Sequence, residues 1–392
     1  MMTKRKYYFI RILAFLPLLA MVRPGVILAE NHLNQEKVRG LWVVRHNLTS
    51  PERIDTLLQY TRSVGITDLF VQVRGRGDAF YHSQYEPRAE EISDSLFDPL
   101  DYILQATVGE TVRIHAWLNV FYVWSKDTFP KNANHIVNNQ KHWLARSIHQ
   151  ANLAVENPLS IKDPKIEGLF VSPLQPDAQK HFLNIVKDIV SHYGVAGIHL
   201  DYIRYPDQRF DLHPDVIQGF KKRYVLNPEQ FLTNPELFAQ KFSVAGYEVF
   251  YYHWRRYLLD GLSDFVRRIS DTLNTEADHI LLSAAVKPDI VQAHWNFFQD
   301  WDRWLREGWL DFAVPMNYSP DEIIFKHNME QYAQDLASEK YAVGIALYNQ
   351  PEGQAIRQIS QVIALNNLGF VLFSYDQLLK MKKLGQFMKN LK

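Results

Sequence analysis

The sequence predicts a (β/α)8 barrel of the TIM type, with long insertions after its third and fourth strands. Three observations lead there. From Val38 onward, eight short apolar runs alternate with amphipathic helical stretches, the pattern of repeated β/α units around a parallel sheet. Several of these runs end on polar residues, as expected where barrel strands deliver side chains to a site at their carboxyl ends. Two connections, residues 122–176 and 207–279, are too long for simple turns and read as loops that build a cleft on the same face. An open doubly wound sheet would use fewer strands over this length.

The strand candidates, in order, are residues 38–45, 68–74, 113–121, 195–202, 280–287, 310–318, 341–348 and 369–375. Helical patterns separate them. Residues 51–65 begin with Ser50 as a cap and Pro51 at the first helical position, and residues 177–193 repeat the amphipathic spacing. Strand parity gives each end a polar face. In the fourth strand Ile198 and Leu200 alternate with Gly197, His199 and Asp201, and in the fifth Ile280, Leu282, Ala284 and Val286 alternate with Ser283, Lys287 and Asp289.

Composition narrows the function. The 43 basic and 43 acidic side chains cancel, so no broad field exists to recruit nucleic acid or an anionic membrane. The absence of cysteine excludes disulfides, thiol catalysis, thiolate-bound zinc and a lipidated cysteine. Thr3-Lys4-Arg5-Lys6 followed by a largely apolar stretch to Val22 reads as an export signal over residues 1–29, with an uncleaved anchor as the alternative. The mature domain is then residues 30–392, periplasmic or secreted. Gly75-Arg76-Gly77 lacks the helix start of a dinucleotide fingerprint, and the histidines show no HExxH or paired metal spacing, so no cofactor and no metal are expected.

The polar strand ends form the candidate site: Gln72 and Arg74; Trp117 and Asn119; His199, Asp201, Tyr202, Arg204 and Tyr205; Lys287 and Asp289; Asn317 and Tyr318; and Tyr375. Each strand end alone reads as structural, but several converging would leave buried polar groups unpaired unless they served a ligand. Glycoside cleavage suits the set, because it needs two carboxyls across the scissile bond and hydrogen-bonding groups for sugar hydroxyls. Asp201 is the first carboxyl, expected to be held ionised by Arg204 or Lys287 as nucleophile or base. Asp289 is the second, best placed by parity, with Asp78, Glu86, Asp321 and Asp376 as further acids on the same side. Trp124, at the start of a long loop, is the better sugar platform, whereas Trp42 and Trp117 read as core.

The chain resembles the glycosyl-hydrolase-like family 10 proteins (DUF187). The resemblance rests on Arg39-Gly40-Leu41-Trp42, Phe70-Val71-Gln72-Val73-Arg74, Gly77-Asp78-Ala79-Phe80-Tyr81, Tyr85-Glu86-Pro87 and Phe97-Asp98-Pro99-Leu100. It continues through His115-Ala116-Trp117-Leu118-Asn119, Gly197-Ile198-His199-Leu200-Asp201-Tyr202 and Gly308-Trp309-Leu310-Asp311. It implies a TIM-like barrel, export, and cleavage of cell-wall glycan, notably peptidoglycan stripped of stem peptides. Asp201-Tyr202 stands where many relatives carry two adjacent acids, and Met316-Asn317-Tyr318 replaces a Gln-containing turn. The expected protein is thus an exported glycoside hydrolase with a polysaccharide partner, cell-wall glycan favoured. A non-catalytic glycan-binding barrel and a structural envelope protein are the alternatives.

Overall fold

The computed structural model describes residues 37–150, 157–365 and 367–391. The export-signal reading therefore lies outside the described residues. Ten strands occur among them: β1 (Val38–Val43), β2 (Asp68–Arg74), β3 (Arg113–Asn119), β4 (Tyr122–Trp124), β5 (Leu169–Phe170), β6 (Gly197–Asp201), β7 (Leu281–Val286), β8 (Phe312–Pro315), β9 (Ala342–Ala346) and β10 (Gly369–Phe373). Eight of them form one parallel sheet in the order β8-β7-β6-β3-β2-β1-β10-β9. Parallel bridges Ala313 to Tyr341 and Met316 to Gly344 link its two outer strands and nearly close the barrel. All eight predicted strands are present.

The strand runs are apolar on both faces because both faces are covered. Leu41, Val43, Leu69, Val71, Ile198, Leu200 and Ala284 pack outward in the continuous core shared with the helices. Trp42, Phe70, Trp117, Ala285, Phe312, Val314 and Val371 form a separate cluster. These residues carry the opposite strand parity and fill the lumen, as in other packed barrels. Polar groups in this inner layer are paired: the Trp42 indole N–H donates to His199 Nε2 at 3.1 Å, His199 Nδ1 meets Ser283 Oγ at 2.9 Å, and His115 Nε2 meets Asp68 Oδ1 at 2.9 Å.

The first helix, Pro51–Val64, begins at the expected proline and stops at Gly65 (φ 70°), whose N–H reaches the Thr61 and Arg62 carbonyls; Ser50 sits at the N-cap without a side-chain bond to the helix. The second expected helix spans Pro176–His192, with Gln175 capping Ala178 N–H. The stretch 207–279 departs from expectation. Its second half is the 33-residue helix Val244–Glu276, so only the part before it is an insertion on the rim. The insertion after β3 behaves as expected for a cleft-building loop: β4 and β5 pair antiparallel and bury Val123, Trp124, Ile136 and Leu169 in a small core of their own.

Candidate active site

At the carboxyl ends of the strands lies a cavity of about 530 Å3. Its polar lining comprises Arg45, Gln72, Asn119, Glu167, Asp201, Arg204 and Lys287, and its aromatic lining Trp42, Trp117, Tyr122, Tyr202, Tyr318, Tyr348 and Phe373. Seven or more separate segments contribute, which a single cap or ion pair would not require.

Asp201 is the last residue of β6 and is 7% exposed. Its Oδ1 accepts the Tyr202 N–H at 2.6 Å, across a turn in which Tyr202 takes a left-handed backbone (φ 52°). A non-glycine residue in that region costs roughly 1–3 kcal/mol and persists where the surroundings enforce it. Here the Tyr202 ring stacks on Tyr122, with centroids 4.7 Å apart, and carries the Arg204 guanidinium at 4.3 Å. The strained turn thus fixes one carboxylate, one phenol and one guanidinium at the cavity floor.

Burial raises the Asp201 carboxyl above the ordinary carboxylate range; Arg204 and the Tyr202 N–H pull the other way, and Glu167 adds to the rise. This reverses the expectation that neighbouring cations hold Asp201 below that range, because desolvation outweighs the Arg204 attraction. The Trp117 indole N–H helps favour the charged form but makes no hydrogen bond of good geometry, and Arg204 Nη1 is buried with no partner among the described residues. Both are donors left for a ligand to satisfy.

The second carboxyl on the cavity is Glu167, which local sequence reading misses. It is exposed at the rim, on the loop entering β5. Gly168, next to it, has no room for a Cβ, because the Trp124 carbonyl occupies that place. The β4–β5 pairing therefore swings Glu167 over the barrel mouth, and the Glu167-Gly168 pair beside two apolar residues is the only local trace of this. Elsewhere in the lining, Arg45 Nη1 donates to Gln72 Oε1 at 2.9 Å, Gln72 Nε2 to Asn119 Oδ1 at 3.4 Å, and Asn119 Nδ2 to the Gly75 carbonyl at 2.7 Å. Tyr318 stacks on Phe373 with centroids 5.8 Å apart, and Tyr348 meets it edge-on at 6.2 Å.

The glycosyl hydrolase-like 10 family model matches residues 37–368, nearly the whole barrel. The chain belongs to the glycosyl hydrolase-like 10 family. The glycosyl hydrolase YngK of Bacillus subtilis is 21% identical over 286 residues, covering 67% of this chain and 48% of its own length. This chain therefore spans about half of that relative. The glycosyl hydrolase DigH of Escherichia coli is 21% identical over 337 residues, 74% of this chain and 68% of its own. Among solved structures, the glycoside hydrolase domain of PgaB (BpsB) from Bordetella bronchiseptica superposes with a TM-score of 0.67 at 12% identity, covering 91% of this chain and 98% of that one, which matches the barrel fold.

In this family member the structure gathers Gln72, Trp117, Asn119, Asp201, Tyr202, Arg204, Lys287 and Tyr318 around the cavity, and leaves six other expected residues off it. Asp289 caps the helix Ile290–Phe297, accepting from Gln292 N–H at 2.8 Å and Gln292 Nε2 at 3.1 Å. Arg74 is buried against Glu86 at 2.6 Å and donates to the Asn119 and Val120 carbonyls, so it braces the β3 end from behind. His199 belongs to the lumen, a neutral ring whose pKa burial drives well below its ordinary value. Tyr205 is buried against Phe298 at 5.1 Å, and Tyr375 against Tyr60 at 6.0 Å. Asn317 donates to the Phe325 carbonyl and accepts from Asn328, both at 2.9 Å, tying down the helix Glu322–Asp335.

The other weighed acids are also engaged: Asp78 receives Arg76 N–H, Asp321 caps its helix, and Asp376 meets His46 and Asn47. Trp124 is 3% exposed, with its N–H on the Thr128 carbonyl, so it is core, whereas Trp42 lines the cavity. No group of three or more His, Asp or Glu among the described residues is arranged to hold a metal ion.

Lys287 lies half-buried over the Phe297 ring at 4.3 Å, and burial together with Arg204 brings its ammonium down to about 8. Modification of Lys287 by an amine-specific reagent, followed by mass spectrometry across pH, should show half-maximal labelling near pH 8, about two units below an ordinary lysine. A midpoint near pH 10 would mean the side chain stands free in water.

Proposed function

We propose that this chain hydrolyses O-glycosidic bonds of an extracytoplasmic polysaccharide, peptidoglycan glycan strands foremost, with Asp201 as general acid and Glu167 as base or nucleophile. The observation that carries the reading is the pair of carboxyls, Asp201 and Glu167, on one sugar-sized cavity walled by aromatic rings. Glycoside cleavage divides its work between a protonated and an ionised carboxyl. Burial favours the protonated form of Asp201, which reverses the nucleophile role its cationic neighbours implied. Glu167, exposed at the rim of the same cavity, takes the ionised role in this reading, as nucleophile or as the base that activates water.

Three cations, Arg45, Arg204 and Lys287, line the cavity together with these two carboxyls. That balance favours a glycan that carries carboxylates. A peptidoglycan strand freed of its stem peptides exposes the lactyl carboxylate of each muramic acid, whereas an intact strand keeps it in amide linkage. The family membership and the names of the curated relatives support glycoside chemistry, and the basic and apolar pattern of residues 1–29 supports export to the periplasm or medium.

The test is release of new reducing ends from stripped glycan strands, intact peptidoglycan and neutral polysaccharides. Stripped strands should be cleaved fastest. Glu167→Gln should lower kcat by roughly a hundredfold or more while leaving strand affinity near that of the parent. Wild-type protein that binds strands but releases no reducing ends would make this barrel a glycan-binding module instead.

A further inference from the structure

A second concave site lies outside the barrel, between the helices Val244–Glu276 and Ile290–Phe297, with a volume of about 320 Å3. Two large aromatic side chains on it stand open to water, Tyr252 at 57% and Trp295 at 52% exposure. The Trp295 indole is nonetheless held in place. The buried Arg255 guanidinium lies 4.5 Å from its ring centroid and 4.8 Å from that of Phe298, and donates to the Trp295 carbonyl. One surface of the indole is thereby occupied and oriented, and the rest faces solvent. Phe298 takes a left-handed backbone (φ 52°) at the end of its helix, which turns the chain under the pocket.

Single exposed rings are common, but here a fixed indole and a second open ring share one concave surface and leave contiguous apolar area in water. A stacked ligand explains them better than core packing, since the helix already buries Phe250, Trp254 and Leu258 on its other face. Glu248 and Arg256 flank the rings with an acceptor and donors of the kind that bind hydroxyls. The combination of a fixed ring face and polar groups at its edge is the chemistry that holds a pyranose, whose C–H face is apolar and whose rim is hydroxylated.

The position links this pocket to the cavity. Phe297, between Trp295 and Phe298, carries Lys287 of the cavity on its ring at 4.3 Å, and its carbonyl accepts the Tyr205 N–H at 3.1 Å. Phe297 thus belongs to the wall between the two sites. We propose that the Tyr252–Trp295 pocket is an accessory glycan-binding site that holds a sugar ring of the same polysaccharide strand whose cleavage occurs in the cavity. This rests on the glycan reading of the cavity. A compact pocket of this size suits one or two sugar rings, whereas a protein partner would need about 1,000 Å2 or more of interface.

The experiment measures affinity by electrophoresis through, or co-sedimentation with, stripped peptidoglycan strands. The variants are Trp295→Ala, Tyr252→Ala and the conservative Trp295→Tyr, with circular dichroism as a control for folding. A disaccharide cut from the same strands, too short to fill both sites at once, is the second probe. Trp295→Ala and Tyr252→Ala should each weaken strand binding by about three- to tenfold, and Trp295→Tyr should restore most of it. Disaccharide affinity for the cavity should not change. Unchanged strand affinity in folded Trp295→Ala protein overturns the proposal. So does an equal loss for strands and disaccharide, which would mean that the change acts on the cavity through Phe297. Wild-type protein that binds strands without cleaving them sinks the hydrolase reading alone, because the accessory site is read by affinity.

Discussion

Asp201→Asn should lower kcat for glycan cleavage by roughly 10²- to 10⁴-fold, the span that a positioned acid or base contributes. Strand affinity and folding should survive. The amide is close in shape to the protonated carboxyl that burial favours, and it can still accept the Tyr202 N–H that holds Oδ1 at 2.6 Å. It cannot deliver a proton. The same comparison gives a stability signature. A carboxyl whose pKa is raised by burial destabilises the folded state wherever it is ionised, so at neutral pH the Asn protein should unfold at an equal or higher temperature than the parent. Reducing-end assays and thermal melts on one preparation check both halves. Undiminished cleavage by the variant would remove Asp201 from the chemistry.

Glu86→Gln should have the largest effect on stability, about 3–5 kcal/mol, because it leaves the Arg74 guanidinium buried without its counter-charge. Arg74 and Glu86 pair at 2.6 Å with side chains 2% and 0% exposed, and Arg74 also supports the carbonyls at the end of β3. Urea unfolding measures the cost, and the double change Arg74→Met with Glu86→Met should recover much of it by leaving neither charge alone. The pH dependence has a definite sign. Burial raises the Glu86 carboxyl, but Arg74 and His181 together bring it down to about 2, below an ordinary 4.5. Its stabilising contribution is therefore fully present above about pH 4.5 and disappears as the pH falls towards 2. The double variant should lose less stability than the parent over that acid range.

The two acids share a residue class and opposite fates, and strand parity alone does not separate such cases. Parity put His199 on the same face as Asp201, which is correct, yet His199 lies two residues deeper. At about 3.3 Å per residue this places it some 6–7 Å below Asp201, in the lumen, where it is hydrogen-bonded to Trp42 and Ser283. Asp289 failed for a related reason. β7 ends at Val286, and three residues later the chain has already turned into a helix whose first amides need a cap, so the alternation no longer applies. Trp42 and Trp124 exchanged roles because a strand residue near the barrel mouth can face the cavity, while a loop that pairs as β4 and β5 makes a core of its own.

What the sequence by itself determined is the barrel, its eight strands, and a cavity at their carboxyl ends with Asp201, Gln72, Asn119, Arg204 and Lys287 in its lining. These follow from alternation and from apolar runs ending on polar residues, which are local properties. Only the tertiary structure decided that Glu167 is the second acid on the cavity, that Arg74 and Glu86 serve the scaffold, and that burial lifts the Asp201 carboxyl where its neighbours alone would lower it. Each of these depends on which segments meet across space and how much water they exclude, and the order of residues along one strand carries neither quantity.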